Sequence, residues 1–286
     1  MLGVHIHHTK PFIMRNPGKK YYIEDFHLLS TILSALKWRE KNGRIKLYTD
    51  TVGYEFYQVN GLLELWDGGI DIESLENHNL DIDFNSFWAG GKLISIANER
   101  SPFFMIDTDF ICWENILNEI GKSTNTMVIH REEVTEMVYP GKEHLKANKF
   151  YTFNEKLDWD TKPCNTAFVY FGNEGFKEYY LNEAFRFMRG EREKSNENVT
   201  QMVFAEQRLL SMCASEMAVD IKSFLEMYNL EDQKKFTHIW GYKDRLRKSE
   251  KLREEFCLKC IKRIKVDFPE KYYLLENIRS LEKYFR

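Results

Sequence analysis

The stretch FFMIDTDFICW, Phe103–Trp113, places four apolar residues directly before an Asp-x-Asp. An apolar run of this length, closed by a polar turn, reads as a strand buried on both faces. Its carboxylates, Asp107 and Asp109, then fall at the strand's carboxyl end, where ligands bind in open α/β sheets. Two carboxylates two residues apart at such an end can converge on one divalent cation, and that cation can bridge a diphosphate. The competing reading is a solvated turn behind a core strand, and Asp-x-Asp alone does not decide between them.

Upstream, Leu2–His8 alternates weakly and reads as a short strand, and Pro11–Lys20 as a loop. Phe26, Leu29, Ile32, Leu33 and Leu36 recur at three and four, a helix stripe ending near Asn42-Gly43. Ile45–Asp50 reads as a strand, Val52–Asn60 as a helix, Leu62–Trp66 as a short strand and the acidic Gly68–Asp83 as a loop. Phe84–Glu99 reads as a helix with Phe87, Gly91 and Ile94 on one face. Gly90-Gly91 inside it costs about 1 kcal/mol each, tolerable where a backbone must come close to something. Downstream, Met127–His130 and Cys164–Phe171 read as strands, Gly175–Arg189 and Val199–Met217 as helices, and the tail from Lys243 as charged helix. This alternation predicts a mostly parallel sheet with helices on its faces. There is no internal repeat.

The 286 residues suit one or two domains and bury a core without disulfide or metal staples. Glycine (15) and proline (6) are too few for a collagen-like or low-complexity chain. The longest uncharged stretches, such as Phe26–Leu36, have eleven residues, short of the roughly 18 that a membrane span needs. The opening LGVHIHH lacks a basic n-region and a cleavage site, so no secretory signal is expected. Five cysteines fit neither a zinc ribbon nor a disulfide framework, and a reducing cytoplasm is expected. A net charge of −3 argues against nucleic-acid binding by the chain as a whole.

The segment GGKLISIANERSPFFMIDTDFICWENI resembles GT-A fold glycosyltransferases, especially the glycogenin-like and lipopolysaccharide-galactosyltransferase-like retaining enzymes. In that family a Lys-Leu helix precedes the Asp-x-Asp strand, and its lysine reaches the donor. Lys92 stands fifteen residues before Asp107, close to the family spacing. CNTAFVYF is similar to the family's Asn-x-Gly strand, with Asn165 matched and Ala167 in place of Gly. FAEQRLLSMCA supplies Glu206-Gln207 where the family has Asp-Gln lining the sugar pocket. Independently, Glu206 falls on the apolar stripe of Val199, Met202, Val203, Leu210 and Cys213. A carboxylate there needs a partner, unless it sits at the rim with its head in water. THIWGYKD matches the family's His-x-x-Gly through His238 and Gly241; Lys243 comes one residue early and the following Pro-Trp is missing.

The resemblance implies a GT-A domain over residues 1–244 and a basic helical extension over 245–286. It implies a metal-dependent glycosyltransferase moving a sugar from a nucleotide-diphosphate donor, a UDP-sugar by family default, to a glycan or lipid-linked acceptor, with retention. Asp107, Asp109 and His238 would hold Mn²⁺ or Mg²⁺, a donor set of suitable hardness. Lys92, Asp107 and Lys243 would contact the nucleotide donor, and Asn165, Glu206 and Gln207 the sugar. Polysaccharide biosynthesis in the cytoplasm would be its setting. Lys243–Lys265 carries ten Lys or Arg and four Asp or Glu. That excess of +6 suits either a solvated helix or contact with the inner face of an anionic membrane. Two rivals are a non-catalytic nucleotide-sugar-binding module on the same scaffold and an Asp-nucleophile phosphohydrolase. The latter expects Thr or Val where Ile111 stands, and a downstream Asp-Asp pair that the chain lacks.

Overall fold

A computed structural model describes residues 1–121, 125–190, 198–226 and 234–285. Its centre is a seven-stranded sheet in the order β3-β2-β1-β4-β7-β6-β8. The strands are β1 (Leu2–His7), β2 (Ile45–Thr49), β3 (Ile70–Asp71), β4 (Phe103–Ile106), β6 (Thr126–Val128), β7 (Phe168–Phe171) and β8 (Ile221–Ser223). All neighbours are parallel except β7, which runs antiparallel to both β4 and β6. β4 and β6 therefore point the same way. The sheet edge that receives the carboxyl ends of β1, β2, β4 and β6 also receives the amino end of β7. A separate antiparallel ribbon joins β5 (Phe110–Cys112) to β9 (Phe236–His238).

The mostly parallel, helix-flanked sheet is the one expected from the sequence. Its central strands are buried on both faces, and their side chains alternate between two cores. Phe104 and Ile106 of β4 join Phe168 and Tyr170 of β7 in one apolar cluster. Phe103 and Met105 join Val169 and Phe171 in the other. The helices are α1 (Lys10–Arg15), α2 (Asp25–Lys41), α3 (Thr51–Val59), α4 (Glu73–Glu76), α5 (Gly90–Asn98), α6 (Glu174–Met188), α7 (Asn198–Val203), α8 (Leu209–Glu216), α9 (Lys243–Lys248), α10 (Glu250–Asp267) and α11 (Tyr273–Glu276). α2 and α10 contribute to the first cluster, α5, α6 and α8 to the second. Cys257, Cys260, Ile261 and Ile264 of α10 are buried there, so the described part of the C-terminal extension shares the core of α2. Tyr284 and Lys283 reach Asp25 at the start of α2, at 2.6 and 2.8 Å. Arg286, the last residue of the expected extension, lies outside the described residues.

Local departures have physical reasons. Leu62–Trp66 is no strand: Leu63–Leu65 is a 3₁₀ turn, and Leu62 and Leu65 are buried at a spacing of three. The expected loops Pro11–Lys20 and Gly68–Asp83 hold α1, with Pro11 in its first turn, and β3 with α4. The helix expected from Phe84 starts at Gly90. A Cβ on Gly91 would stand 2.6 Å from the His8 ring nitrogen Nδ1, so the close approach inferred for this glycine is to the end of β1. Strand pairing in Cys164–Phe171 begins at Phe168, apart from a lone bridge at Cys164. The expected Val199–Met217 helix is α7 and α8 joined by a π-helical segment, Phe204–Arg208. All five cysteines are free and buried. Among the described residues no helix is long and apolar enough to cross a membrane.

Candidate active site

The apolar run that makes β4 a core strand ends at Ile106, and the polar residues after it turn the chain. Asp107 N–H donates to Ala167 O at 2.8 Å, and Phe110 N–H closes the turn on Asp107 O at 2.9 Å. The chain leaves as β5, whose pairing with β9 sets Phe110 opposite His238. A histidine 129 positions later thus arrives beside Asp109. Ligand atoms of Asp107, Asp109 and His238 lie within 4.8 Å of one another. Lys243, at the start of α9, places its ammonium 2.8 Å from Asp109 Oδ2, and His238 Nε2 is 3.6 Å from the same oxygen.

Lys92 projects from α5 into the interior and is 5% exposed. Its Nζ donates to Asp107 Oδ1 and to Thr166 O, both at 2.7 Å, and pairs with Glu206 Oε1 at 2.8 Å. That uses all three ammonium protons. Glu206, 5% exposed, also accepts from the Thr166 hydroxyl at 2.7 Å. It lies in the π-helical segment, a kind of widened turn frequent at functional sites.

Asn165 and Gln207 enter a neighbouring network. The Asn165 amide donates to Glu132 Oε1 at 2.8 Å, and its oxygen accepts from Ala167 N–H at 3.1 Å. His130 Nε2 is 3.0 Å from the same Glu132 oxygen. Gln207 Oε1 accepts from the Tyr139 hydroxyl. The structure therefore joins Lys92 to Asp107 and Glu206 by ion pairs, brings Asp107, Asp109 and His238 within 4.8 Å of one another, and pairs Lys243 with Asp109. Asn165 and Gln207 contact other partners.

Thr166, Glu132, Tyr139 and His27 were not singled out by the sequence. His27 Nε2 lies 3.1 Å from the Thr108 hydroxyl, inside the Asp-x-Asp turn. A signal for Glu132 existed: His130-x-Glu132 follows the apolar end of β6 as Asp-x-Asp follows β4.

Burial pushes the Asp107 carboxyl up to about 6; Lys92 opposes this, while Asp109 and Glu206 add to it. Burial also opposes the charge on Asp109, yet Lys243, His238 and His27 hold its carboxyl well below the usual range. Burial pushes His238 down to about 4 against the pull of Asp109, leaving a neutral imidazole at pH 7. Three carboxylates thus meet two ammonium groups. Asp109 Oδ2, though paired with Lys243, is buried without an aligned hydrogen-bond donor. Two carboxylates, a neutral imidazole, an under-satisfied oxygen and a deficit of positive charge fit a divalent cation such as Mn²⁺ or Mg²⁺.

Residues 13–278 match a family described as a family of unknown function, DUF6734. The chain belongs to DUF6734. None of the curated proteins matches this DUF6734 member. Among solved structures it is similar to mouse xyloside xylosyltransferase 1, apo form, at 11% identity over 78% of this chain and 84% of that one, with a TM-score of 0.39. It is similar to the inositol-1-phosphate CTP transferase from T. maritima at 14% identity, 79% and 84% coverage and a TM-score of 0.38. A third is the PaToxG glycosyltransferase, at 13% identity, 100% and 86% coverage and a TM-score of 0.37.

The buried histidines of this DUF6734 member make its stability pH-dependent. Burial lowers His5 and His27 to about 3 and His7, His8 and His238 to about 4. Below about pH 6.5 the unfolded chain takes up protons that the folded chain refuses, so stability falls with pH at about 1.4 kcal/mol per pH unit for each such histidine. The raised Asp107 works in the opposite sense, but it is one group against five. Urea unfolding should show a loss of at least about 3 kcal/mol between pH 7 and pH 5. A flat profile over that window would contradict the neutral, buried state of these rings.

Proposed function

We propose that this protein is a metal-dependent GT-A glycosyltransferase that moves a sugar, with retention, from a UDP-sugar to a glycan or lipid-linked acceptor in cytoplasmic polysaccharide biosynthesis. One observation carries the reading: ligand atoms of Asp107, Asp109 and His238 converge within 4.8 Å of one another at the carboxyl edge of the sheet. A divalent cation bound there would act as a Lewis acid and template for a diphosphate leaving group. Lys243, ion-paired with Asp109, would meet the charge of the diphosphate. Lys92 fixes Asp107 and Glu206 and adds positive charge where the leaving group develops its own. Glu206 keeps Oε2 for a sugar hydroxyl, since Lys92 and Thr166 both bind Oε1. Asn165 and Gln207, bonded to Glu132 and Tyr139, would hold the remaining sugar hydroxyls. The ion-paired Glu206 is a poor general base, which favours retention over inversion.

The reading is tested by thermal shift with UDP and UDP-sugars, with and without Mn²⁺. A ligand at 100 times its Kd stabilises by about 2.7 kcal/mol. A shift with UDP and Mn²⁺ together, and with neither alone, supports the reading; no shift across the panel rejects it. Glu206→Gln should reduce sugar transfer at least about tenfold while UDP binding stays within about threefold, because UDP lacks the sugar. Equal loss of both would make Glu206 purely structural.

A further inference from the structure

A second charged concavity lies at the other end of β5. It has a volume of about 750 Å³ and is lined by Lys41, Lys234, Lys259, Lys262, Arg263 and the half-buried Trp113. Lys37 forms part of its wall, 5.8 Å from the Trp113 ring centre, and the Arg263 guanidinium lies 5.3 Å from that centre. Among the described residues no carboxylate lines it. Trp113 stands four residues beyond Asp109, roughly 13 Å along an extended chain, so this groove is not the sheet-edge cluster.

Structural roles account for only part of this charge. Lys37 is buried and paired with Asp267 at 2.7 Å and Glu40 at 2.9 Å. Arg263 shares Asp267 at 2.6 Å, and Lys41 pairs with Glu40 at 3.0 Å. Lys41 also ends α2, where a helix C-terminus favours a cation. Lys259 and Lys262 are exposed and have no ion pair among the described residues. Lys259 stands two turns before the end of α10, beyond reach of that terminus. Positions 259 and 262 are i and i+3, so their two unpaired charges share one helix face and repel, while Arg263 beside them is offset by Asp267.

We propose that this groove binds a polyanionic glycan, a sugar chain carrying sulfate, phosphate or carboxylate groups. The cations fit the anions. A membrane is disfavoured because the exposed apolar residues of α10 beside these cations, Leu258 and Val266, are scattered singly and form no face that could insert. A long nucleic acid is disfavoured because it would run past the groove onto the rest of the chain, which carries −9 once the +6 of Lys243–Lys265 is set aside, whereas a short charged glycan stays within it. The choice of a sugar chain rests on the transferase reading; the preference for anions does not.

The test uses the full chain with a sulfated dextran oligosaccharide, a polygalacturonate oligomer, neutral dextran of equal length, a single-stranded 20-mer DNA and phosphatidylserine–phosphatidylcholine vesicles. At least one charged glycan should bind, weakening about tenfold or more from 50 to 200 mM salt, while neutral dextran does not bind. K259E/K262E, at two exposed positions, should keep the wild-type Tm and bind the charged glycan at least tenfold more weakly. Unchanged binding by this variant overturns the proposal, as does tighter binding of DNA or vesicles than of either charged glycan. Titration of the same samples with UDP and Mn²⁺ separates the two readings. If UDP produces no shift but glycan binding and its loss in K259E/K262E hold, the transferase reading fails and the groove stands.

Discussion

Replacing Lys92 by methionine is expected to destabilise the protein by about 3–5 kcal/mol at pH 7, the usual cost of removing one partner from a buried ion pair. Methionine fills much of the volume but supplies no proton donor. The Thr166 carbonyl, Asp107 and Glu206 then lose their shared partner together. Burial disfavours a charged Lys92, but the two carboxylates outweigh it and raise its pKa. A lysine shifted in this direction contributes its full stabilisation below about pH 10, hence throughout the physiological range. The damage should shrink towards pH 5, because Asp107, already raised to about 6 with Lys92 present, can shed its charge by protonation. Urea unfolding at pH 7 and pH 5 measures both effects. A loss under about 1 kcal/mol at pH 7 would mean that the three-way contact is not a buried ion network.

The second large effect is on binding. Asp109→Asn keeps the side chain's size and removes its charge. Mn²⁺-dependent UDP binding should weaken by more than about 100-fold, beyond what loss of an outer partner of a metal costs. On the proposed reading two changes would act together: the cation would lose a charged ligand, and Lys243 loses the carboxylate that holds it. Manganese electron paramagnetic resonance, titrated with and without UDP, reads the cation directly. Binding within about threefold of wild type would remove Asp109 from the ligand set.

Lys92, His238 and Lys243 are legible only through the family resemblance; the parts that the residues themselves announce share one property, polarity where the local pattern demands apolar residues. Asp107 and Asp109 interrupt a core strand, and Glu206 interrupts a helix stripe. Both depart from a short-range rule, so both are visible without knowing the fold. Thr166 gives no such signal. It matters because β7 runs antiparallel and delivers its amino end to the same edge as β4. Glu132 and His27 reach the edge from β6 and α2, and only the strand order places them there. The misread Leu62–Trp66 shows the same limit at short range. Five residues with three leucines suit a strand or a tight turn equally, and the burial of Leu62 and Leu65 against the core decides.

The π-helical segment makes the aim of Glu206 depend on chain length. A π turn holds about one residue more than an α turn, and one residue is worth about 100° of rotation. With Phe204–Arg208 wound as α-helix, residues on its two sides could not both keep their present faces. If α8 stayed seated in its core, the stripe of α7 would rotate away from it; if α7 stayed, α8 would. The surplus residue lets one continuous helix serve two phases, packing on both flanks while holding a carboxylate against Lys92. Lineages that shortened or lengthened this helix by a single residue would keep every side chain of the site in sequence and lose its direction in space.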